Sequence, residues 1–268
     1  MRLASAFDLA DRVALVTGGA GILGPHFCAA LAEFGARVAV VDVQAEAARA
    51  TARSLTDEFG AEALGLGGDV SIEADVVRVV KEVMDRWGRI DVLLNGATMR
   101  TPGYYAPLAE YALDDWSRMM NVNLTGPFLF AKHAVPHMQA AGRGSIINIA
   151  SIYGVVGPDP GLYEGSSWNG RPINTPPIYA ASKGGVVNFT RYLATTLAAH
   201  GIRANCISPG GVESGQNETF LRRYGERAPL GRMARGEELK GAVLYLASDA
   251  SSYVTGHNLV VDGGWTAK

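Results

Sequence analysis

Ala14-Leu15-Val16-Thr17-Gly18-Gly19-Ala20-Gly21-Ile22-Leu23-Gly24 is the stretch that decides the fold of this chain. An apolar run of strand length leads into a glycine-rich turn, and a helix-like segment follows to about Phe34. Glycines in such a turn let backbone N–H groups approach a pyrophosphate at the N-terminus of the helix. The stretch therefore predicts the start of a dinucleotide-binding βαβ unit.

Short apolar runs and helix-length amphipathic segments alternate from this point to about His200. The predicted strands are Arg12–Thr17, Ala36–Val41, Ala61–Leu66, Ile90–Asn95, Ser145–Ile149, Arg203–Ile207 and Asn258–Val261. The later predicted helices are Ala45–Glu58, Glu73–Trp87, Leu113–Ala140 with a break or kink at Pro127 or Pro136, a helix from Tyr179 to about His200, and Glu237–Ala247. This alternation predicts an α/β fold: one Rossmann domain over residues 1–268, with a doubly wound, parallel seven-stranded sheet and helices on both faces.

Composition favours an ordinary globular enzyme. The 268 residues carry a net charge of −2, which gives no electrostatic reason to expect nucleic acid or an anionic membrane as a partner. No secretory signal or membrane-length apolar run is apparent, so we expect a cytoplasmic protein. The two cysteines lie far apart in apolar runs, and the five histidines show no metal-site grouping, so no metal is expected.

Asp42 ends the second predicted strand about twenty residues after the glycine turn. A carboxylate there accepts hydrogen bonds from a ribose diol and repels a 2′-phosphate. No lysine or arginine lies between Thr17 and Gly24, and Val43 follows Asp42, so the sequence favours NAD over NADP. A cap for the next helix is the alternative role of Asp42. Asp69 and Val70 are expected to flank the adenine, although Asp69 could equally cap the helix that follows.

Tyr179 and Lys183 lie four positions apart in a predicted helix and so share one face, about 6 Å apart along the axis. An ammonium group that close lowers the pKa of a phenol from about 10. Such a tyrosine can exchange a proton near neutral pH, as carbonyl–alcohol chemistry requires. The spacing alone is also common on amphipathic helices without any function.

With Asn123, Ser151, Tyr179 and Lys183 in order after the glycine turn, the chain resembles the short-chain dehydrogenase/reductase family from Leu15 to the closing Val261-Asp262-Gly263-Gly264. The resemblance implies that these four residues form a catalytic tetrad, in which Asn123 holds a water on a proton relay to Lys183. It also implies a nicotinamide-binding turn at Pro209-Gly210-Gly211-Val212 with a contact from Ser214. The predicted cofactor-binding residues are Gly18, Gly21, Ile22, Leu23, Gly24, Asp42, Val43, Asp69, Val70, Asn95, Ala97, Tyr179, Lys183, Pro209, Gly210, Val212 and Ser214.

Three positions depart from the family pattern. Ile22 stands where short members have glycine, and the resulting glycine spacing resembles the extended members. Gly96 stands where a second asparagine is typical, which removes side-chain support for the sheet. Tyr179 follows Ser151 by 28 positions, more than is usual, so we expect a substrate loop over about 152–177.

The inserted segment joins two predicted catalytic residues, so its ends must lie at the site. We expect substrate contacts from Arg100, Tyr163, Trp168, Asn169 and Arg171. A lid is expected over about 213–236, where Arg222, Arg223, Arg227, Arg232 and Arg235 would suit an anionic sugar acid. A solvated helix face with paired charges is the alternative for those arginines. The family resemblance also implies a homotetramer.

Together these patterns predict an NAD-dependent oxidoreductase that interconverts a secondary alcohol and a ketone, or a lactol and a lactone. Its expected substrate is a sugar, sugar acid or polyol, with Tyr179 as general acid and base. A nucleotide-sugar epimerase or dehydratase with tightly held NAD and a non-catalytic NAD-binding protein are the alternatives.

Overall fold

The computed structural model describes residues 2–168 and 170–268, and the side chains of Trp168 and Arg171 are outside that description. Nine strands are present in this part of the chain. They are β1 Val13–Thr17, β2 Arg37–Asp42, β3 Ala63–Gly67, β4 Val92–Asn95, β5 Gly144–Ile149, β6 Ser167–Trp168, β7 Arg171–Pro172, β8 Ile202–Pro209 and β9 Asn258–Val261. Seven form one sheet in the order β3-β2-β1-β4-β5-β8-β9, while β6 and β7 form a separate hairpin.

Every strand pair in the large sheet is parallel, and helices cover both of its faces. The helices are α1 Leu3–Ala6, α2 Gly24–Glu33, α3 Ala45–Phe59, α4 Glu73–Trp87, α5 Leu113–Met120, α6 Gly126–Ala141, α7 Pro177–Leu197, α8 Glu218–Arg227 and α9 Lys240–Ala247. One apolar layer joins the sheet to α2, α3 and α9, and the other joins it to α4, α6 and α7. The predicted fold class is confirmed.

The burial of β1 explains why apolar and polar residues do not alternate along it. Val13 and Leu15 pack in the layer with α4 and α6, whereas Ala14 and Val16 pack in the layer with α2. All four side chains are fully buried. A strand covered on both faces needs apolar residues at successive positions, so it has no polar face to reveal its period.

The long helix predicted over 113–140 is interrupted, but its break does not lie at a proline. A π-helical turn over Asn121–Thr125 separates α5 from α6, and Pro127 lies in the first turn of α6. A proline is tolerated there because its missing N–H would have no partner within the helix. Pro136 lies inside α6. The predicted position of the break was therefore wrong by a few residues, and the irregularity covers Asn121–Thr125.

The sheet order brings the predicted site residues to one edge. The glycine turn follows β1, Asp42 ends β2, Asn95 ends β4, Ser151 follows β5 and Pro209 ends β8. The carboxyl ends of parallel strands meet at the same edge, and a crevice opens where the strand order reverses, here between β1 and β4. Among the helices described, none is both long and apolar enough to cross a membrane.

Candidate active site

A cavity of about 830 Å³ opens at this edge of the sheet. It is lined by the glycine turn, by Asp42, and by three of the four predicted catalytic residues, namely Ser151, Tyr179 and Lys183. Of the predicted cofactor residues, only Asn95 lies outside the lining, where its neighbour Gly96 is found instead. The volume lies within the range of small-molecule and cofactor sites.

The glycine turn is shaped by close backbone contacts. Gly18 has φ +66°, and a Cβ there would lie 2.7 Å from the Cα of Ala97. A Cβ on Gly24 would overlap the carbonyl oxygen of Gly18, whereas one on Gly21 would make only a 3.3 Å contact. Ile22 is 61% exposed and lines the cavity, so its side chain is accommodated without disturbing the turn. Gly18 and Gly24 are therefore required for the fold of the turn itself.

Asp42 is held by the turns around it. Its carboxylate accepts hydrogen bonds from the N–H of Ala20 at 3.2 Å and from the N–H of Gln44 at 3.0 Å. The N-cap of α3 is Gln44, so Asp42 does not have the alternative capping role. The carboxylate ties the end of β2 to the glycine turn, and Asp42 and Val43 both line the cavity.

Asp69 is also not a helix cap. Its carboxylate accepts hydrogen bonds from the N–H and the hydroxyl of Ser71, at 2.8 Å and 2.6 Å, and the N-cap of α4 is Ile72. Asp69 and Val70 both line the cavity on the same side as Asp42. The loop after β3 thus forms a wall of this half of the cavity.

The loss of side-chain support at Gly96 is offset in part by its neighbours. The N–H of Gly96 donates to the carbonyl and to the hydroxyl of Thr17, each at 3.2 Å. Asn95 donates its amide to Asn148 at 2.8 Å, and Asn148 donates to Thr190 at 2.9 Å. This buried chain of hydrogen bonds joins β4, β5 and α7. Within the described residues the Oδ1 of Asn95 is buried without a partner, so the support lost at Gly96 is replaced only in part.

Lys183 is a buried cation. Its side chain is 3% exposed, and the ammonium donates a hydrogen bond to the carbonyl of Ile149 at 2.7 Å. Burial disfavours the charged form and lowers the pKa of Lys183 to about 8. A lysine with this pKa can gain and lose a proton near neutral pH.

Tyr179 stands beside Lys183, with 5.8 Å between the ammonium nitrogen and the centre of the tyrosine ring. Protein atoms surround the phenol closely, and this desolvation raises its pKa. The Ser151 hydroxyl and the positive charge of Arg100 act in the opposite direction and lower it. In the protein alone, the pKa of Tyr179 is therefore raised, contrary to the expectation that Lys183 lowers it. The reason is that burial outweighs the polar neighbours and that the lysine bonds to a carbonyl instead.

Asn123 lies in the π-helical turn and is fully buried. Its amide donates to the hydroxyl of Ser182 at 3.1 Å and accepts from the hydroxyl of Thr98 at 3.0 Å. Ser182 immediately precedes Lys183 on α7, so Asn123 anchors the helix that carries the tyrosine and lysine. π-helical turns within α-helices are frequent at functional sites because they displace one residue of the helical register.

Ser151 follows β5 and is buried at the cavity wall. Its hydroxyl oxygen accepts a hydrogen bond from the N–H of Tyr153 at 3.2 Å. This bond leaves the hydroxyl proton available to donate to an oxygen in the cavity.

The inserted segment 152–177 and the segment 213–236 pack against each other. Leu162 lies in an apolar cluster with Phe220 and Tyr224 of α8 and with Met233. Two ion pairs, Arg227–Asp159 and Arg223–Glu164, reinforce this contact. Of the predicted substrate residues, Arg100 and Tyr163 line the cavity, Asn169 lies outside the described residues, and the side chains of Trp168 and Arg171 also lie outside the description.

The prediction of an anion site made by the five arginines of 213–236 is wrong. Each arginine is paired with a carboxylate, and none lines the cavity. The pairs are Arg222–Glu226, Arg223–Glu164, Arg227–Asp159, Arg232–Glu238 and Arg235–Glu237. The alternative is right that the charges are paired, but Arg223 and Arg227 pair with the segment 152–177 instead of forming a solvated helix face.

Tyr224 is a residue that the sequence pattern did not single out. Its hydroxyl accepts a hydrogen bond of 2.6 Å from the N–H of Gly211, and its ring stacks on Trp265 with 4.6 Å between ring centres. Through these contacts α8 supports the turn that is predicted to bind the nicotinamide. No motif marks such a tyrosine, because only the fold brings it to the turn. The residues described include no group of three or more potential metal ligands.

A sheet of this topology with a glycine cradle and a serine–tyrosine–lysine cluster defines a nicotinamide-dinucleotide oxidoreductase. A family model described as enoyl-(acyl carrier protein) reductase matches residues 19–266. A cis-4-hydroxycyclohexanecarboxylate dehydrogenase from Sinomonas cyclohexanicum is 41% identical over 262 residues, which cover 96% of this chain and 98% of the relative. The chain belongs to the short-chain dehydrogenase/reductase family.

Two further proteins place the chain among enzymes that act on CH–OH groups. A D-threitol dehydrogenase from Mycolicibacterium smegmatis is 36% identical, and the match covers 98% of this chain and 95% of the relative. The crystal structure of a gluconate 5-dehydrogenase from Burkholderia cenocepacia, in complex with NADP and tartrate, is 36% identical with a TM-score of 0.87, and the match covers 100% of both chains. The predictions of family and of an oxidoreductase are confirmed, which leaves the epimerase and the non-catalytic binding protein without support.

Proposed function

We propose that this protein is an NAD-dependent dehydrogenase that interconverts a secondary alcohol and a ketone, with Tyr179 as general acid and base. The observation that carries the proposal is the arrangement of one cavity. Asp42 and the glycine turn line one part of it, and Ser151, Tyr179 and Lys183 line another. The first part suits the adenosine half of a dinucleotide, and the second suits proton transfer at an alcohol oxygen.

The residues present fit a dinucleotide. The turn at Gly18–Gly24 offers a cradle that side chains would fill, and it opens α2, whose N-terminus favours a negatively charged pyrophosphate. The loops after β2 and β3 would hold the adenosine, and the turn Pro209–Val212 would hold the nicotinamide. When bound, the nicotinamide supplies or accepts the hydride.

The proton at the substrate oxygen is moved by the chain's own residues. Ser151 donates a hydrogen bond to that oxygen and orients it, and Tyr179 takes or returns its proton. Lys183, whose ammonium is held by the carbonyl of Ile149, lies 5.8 Å from the centre of the tyrosine ring and keeps a positive charge at this end of the cavity, while the Ser151 hydroxyl and Arg100 favour the ionised phenol. Asn123 holds α7 through Ser182, and its proposed role in holding a water of the proton relay is compatible with its place in the π-helical turn.

Replacement of Tyr179 by phenylalanine tests this mechanism. We expect kcat to fall by about 10²- to 10⁴-fold, the usual contribution of a general acid or base, while NAD binding is retained. Tyr253→Phe is the control, because Tyr253 is fully exposed and does not line the cavity. Turnover and calorimetric NAD binding measure the two effects separately. Unchanged turnover in Tyr179→Phe would refute the assignment.

The preference for NAD is proposed from Asp42 and from the charges that line the cavity. Within the described part of the chain, the basic residues lining the cavity are Arg100, Arg118 and Lys183, and none comes from the loops after β1, β2 or β3. A 2′-phosphate would thus meet a carboxylate and no cation. Since the related gluconate 5-dehydrogenase was crystallised with NADP, both cofactors need to be measured.

For Asp42→Ala we expect the ratio of kcat/KM for NAD to that for NADP to fall by about tenfold or more. NAD loses a hydrogen bond from its ribose, and NADP is relieved of the repulsion between its 2′-phosphate and the carboxylate, each worth about 1 kcal/mol or more. Asp57→Ala, which removes an exposed carboxylate from α3, is the control for net charge. An unchanged ratio in Asp42→Ala would contradict the proposed role.

The proposed substrate is a compact secondary alcohol. The relatives named above act on a hydroxycyclohexanecarboxylate, on threitol and on gluconate, so a cyclic hydroxy acid, a polyol and a sugar acid are all candidates. A panel of these three compounds, each supplied with NAD and with NADP and followed by absorbance of the reduced cofactor, tests the proposal. Failure of every compound with both cofactors would contradict it.

Cytoplasmic location and assembly as a homotetramer stay predictions. An exposed aromatic face on α6 and α7 supports the second of these. Phe128 and Tyr192 are 48% and 61% exposed, and both rings pack against Phe189. Size-exclusion chromatography with light scattering measures the number of subunits.

A further inference from the structure

Arg100 is a cation at the cavity that has no carboxylate partner among the described residues. It follows β4, lines the cavity, and its guanidinium lies 5.7 Å from the ring centre of Tyr104. Over residues 2–168 and 170–268, no acidic side chain lies within ion-pair distance of Arg100. The five arginines of 213–236, by contrast, all have such partners. Arg100 is therefore available to an anion that enters the cavity.

The charge of Arg100 acts on the reaction centre. It lowers the pKa of Tyr179 and that of Tyr104 relative to what burial alone would give. A guanidinium presents several N–H groups in a planar fork that matches a carboxylate, and it stacks on aromatic rings as it does here on Tyr104. An anionic group bound at this point would lie in the same cavity as the reacting hydroxyl, at a separate position.

The cavity also has an apolar wall. Ile152, Leu162, Phe220 and Met233 are buried residues that line it. Such a wall suits a hydrocarbon skeleton, since buried hydroxyls without hydrogen-bond partners are costly.

Three of the tyrosine hydroxyls that line the cavity already take part in hydrogen bonds within the protein. Tyr153 and Tyr163 share a hydrogen bond of 2.8 Å, and Thr175 donates to Tyr163 at 2.5 Å. The hydroxyl of Tyr224 is bonded to Gly211. These bonds take up part of the hydrogen-bonding capacity of the three hydroxyls, so a substrate with hydroxyls on every carbon gains less here than a hydrocarbon skeleton gains from the apolar side chains.

We infer that Arg100 binds a carboxylate of the substrate, and that the substrate is a hydroxy acid with an apolar, carbocyclic skeleton. This inference rests on the proposed function, in which an alcohol group of the substrate reacts at Tyr179. It adds a second group, the carboxylate at Arg100, that orients the substrate. It replaces a polyhydroxylated ligand by one with two polar ends, a hydroxyl at Tyr179 and a carboxylate at Arg100.

Kinetics with a matched pair of alcohols test the carboxylate site. cis-4-Hydroxycyclohexanecarboxylate is compared with 4-methylcyclohexanol, which has the ring and the hydroxyl without the charge. We expect Arg100→Met to lower kcat/KM for the acid by about 10- to 100-fold, the range for loss of a charge-assisted hydrogen bond. KM for NAD should stay unchanged, and kcat/KM for the neutral alcohol should fall much less than that for the acid, because the neutral alcohol loses only the effect of Arg100 on the pKa of Tyr179. Arg100→Lys should recover part of the loss for the acid. Arg222→Met removes the same charge from a paired surface site and should change neither substrate.

Equal kcat/KM for the two alcohols in the wild type would overturn the carboxylate site. An increase in KM for NAD with no change in the preference for the acid would overturn it as well, because Arg100 would then contact the cofactor. A higher kcat/KM for threitol than for the cyclic acid would overturn the apolar skeleton.

Binding without turnover separates this inference from the proposed function. Cyclohexanecarboxylate has no hydroxyl to oxidise, and its binding to the NAD complex is measured by calorimetry. We expect it to bind the wild type at least tenfold more tightly than it binds Arg100→Met, and cyclohexanecarboxamide to bind both weakly. If the acid binds through Arg100 while no alcohol is oxidised, the dehydrogenase proposal fails and the inference stands. If the acid binds both proteins equally or neither, the inference fails.

Discussion

Replacement of Lys183 by methionine removes a positive charge from the interior without changing the length of the side chain greatly. The lysine is 3% exposed, and it has one hydrogen bond in the described structure, to the carbonyl of Ile149. No carboxylate within the described residues pairs with it. A cation in this position is held at a cost to folding, since water solvates it better than the protein does.

The size of this cost follows from its pKa. Burial lowers the pKa of Lys183 from 10.5 to about 8. At 1.36 kcal/mol per pKa unit, the charged form is destabilised by about 3 kcal/mol at pH 7 relative to the unfolded chain. Methionine removes this cost and also removes a hydrogen bond worth about 1 to 2 kcal/mol. We therefore expect the variant to unfold with a free energy about 1 to 2 kcal/mol higher than that of the wild type at pH 7, and to have no dehydrogenase activity.

The dependence on pH gives the sharper test. Between pH 8 and 10.5, the unfolded lysine binds a proton that the folded lysine has released, so the stability of the wild type rises with pH relative to the variant. The advantage of the variant should be constant below pH 8 and should disappear as the pH rises through this range. Titrations of other groups occur in both proteins and cancel in the difference.

Urea unfolding of both proteins at pH 7, 8, 9 and 10, at one protein concentration, measures this difference. Lys81→Met is the control, because Lys81 is a surface lysine whose side chain is 71% exposed, and its substitution should show no comparable dependence on pH. A difference between wild type and Lys183→Met that is the same at all four pH values would refute the reasoning.

Two further changes test the backbone around the cofactor. Gly24→Ala should prevent folding or lower stability by several kcal/mol, because its Cβ overlaps backbone atoms. Gly21→Ala should fold normally and serves as the control. Thermal unfolding compares the two variants, and equal melting temperatures would contradict the steric account. Tyr224→Phe leaves the N–H of Gly211 without its acceptor, so we expect about 1 kcal/mol lower stability and a raised KM for NAD, with Tyr253→Phe as an exposed control. An unchanged KM for NAD in Tyr224→Phe would show that the turn needs no support from α8.

Helices and strands with a regular spacing of apolar residues could be predicted closely from the sequence. Helix Glu73–Trp87 and strand Asn258–Val261 have the predicted bounds, since amphipathic period and turn residues act locally. The prolines predict a break in the long helix at Pro127 or Pro136. Pro127 instead fits the first turn of α6, and the π-helical turn lies before it. No local sequence pattern marks the residue at which an α-helix changes to a π-helical turn.

The site could be predicted where a motif fixes both residue and position, as for the tyrosine and lysine on α7. The site could not be predicted where the interacting side chains come from segments that are far apart in the sequence. Arg227 lies 68 positions from Asp159, and their pairing is invisible in the sequence, so the arginines of 213–236 looked free. Nor does the sequence show that Arg100, unlike these arginines, has no carboxylate within ion-pair distance among the described residues.

The contact between the inserted segment and α8 has a consequence for redesign of the enzyme. Because Arg227 and Arg223 bond across to 159–164, and Leu162 packs against Phe220, neither segment keeps its surface when the other is exchanged. A chimera that receives only one of the two from a relative would bring unmatched charges and shapes into contact. The smallest unit that can be exchanged with its contacts intact therefore spans both 152–177 and 213–236.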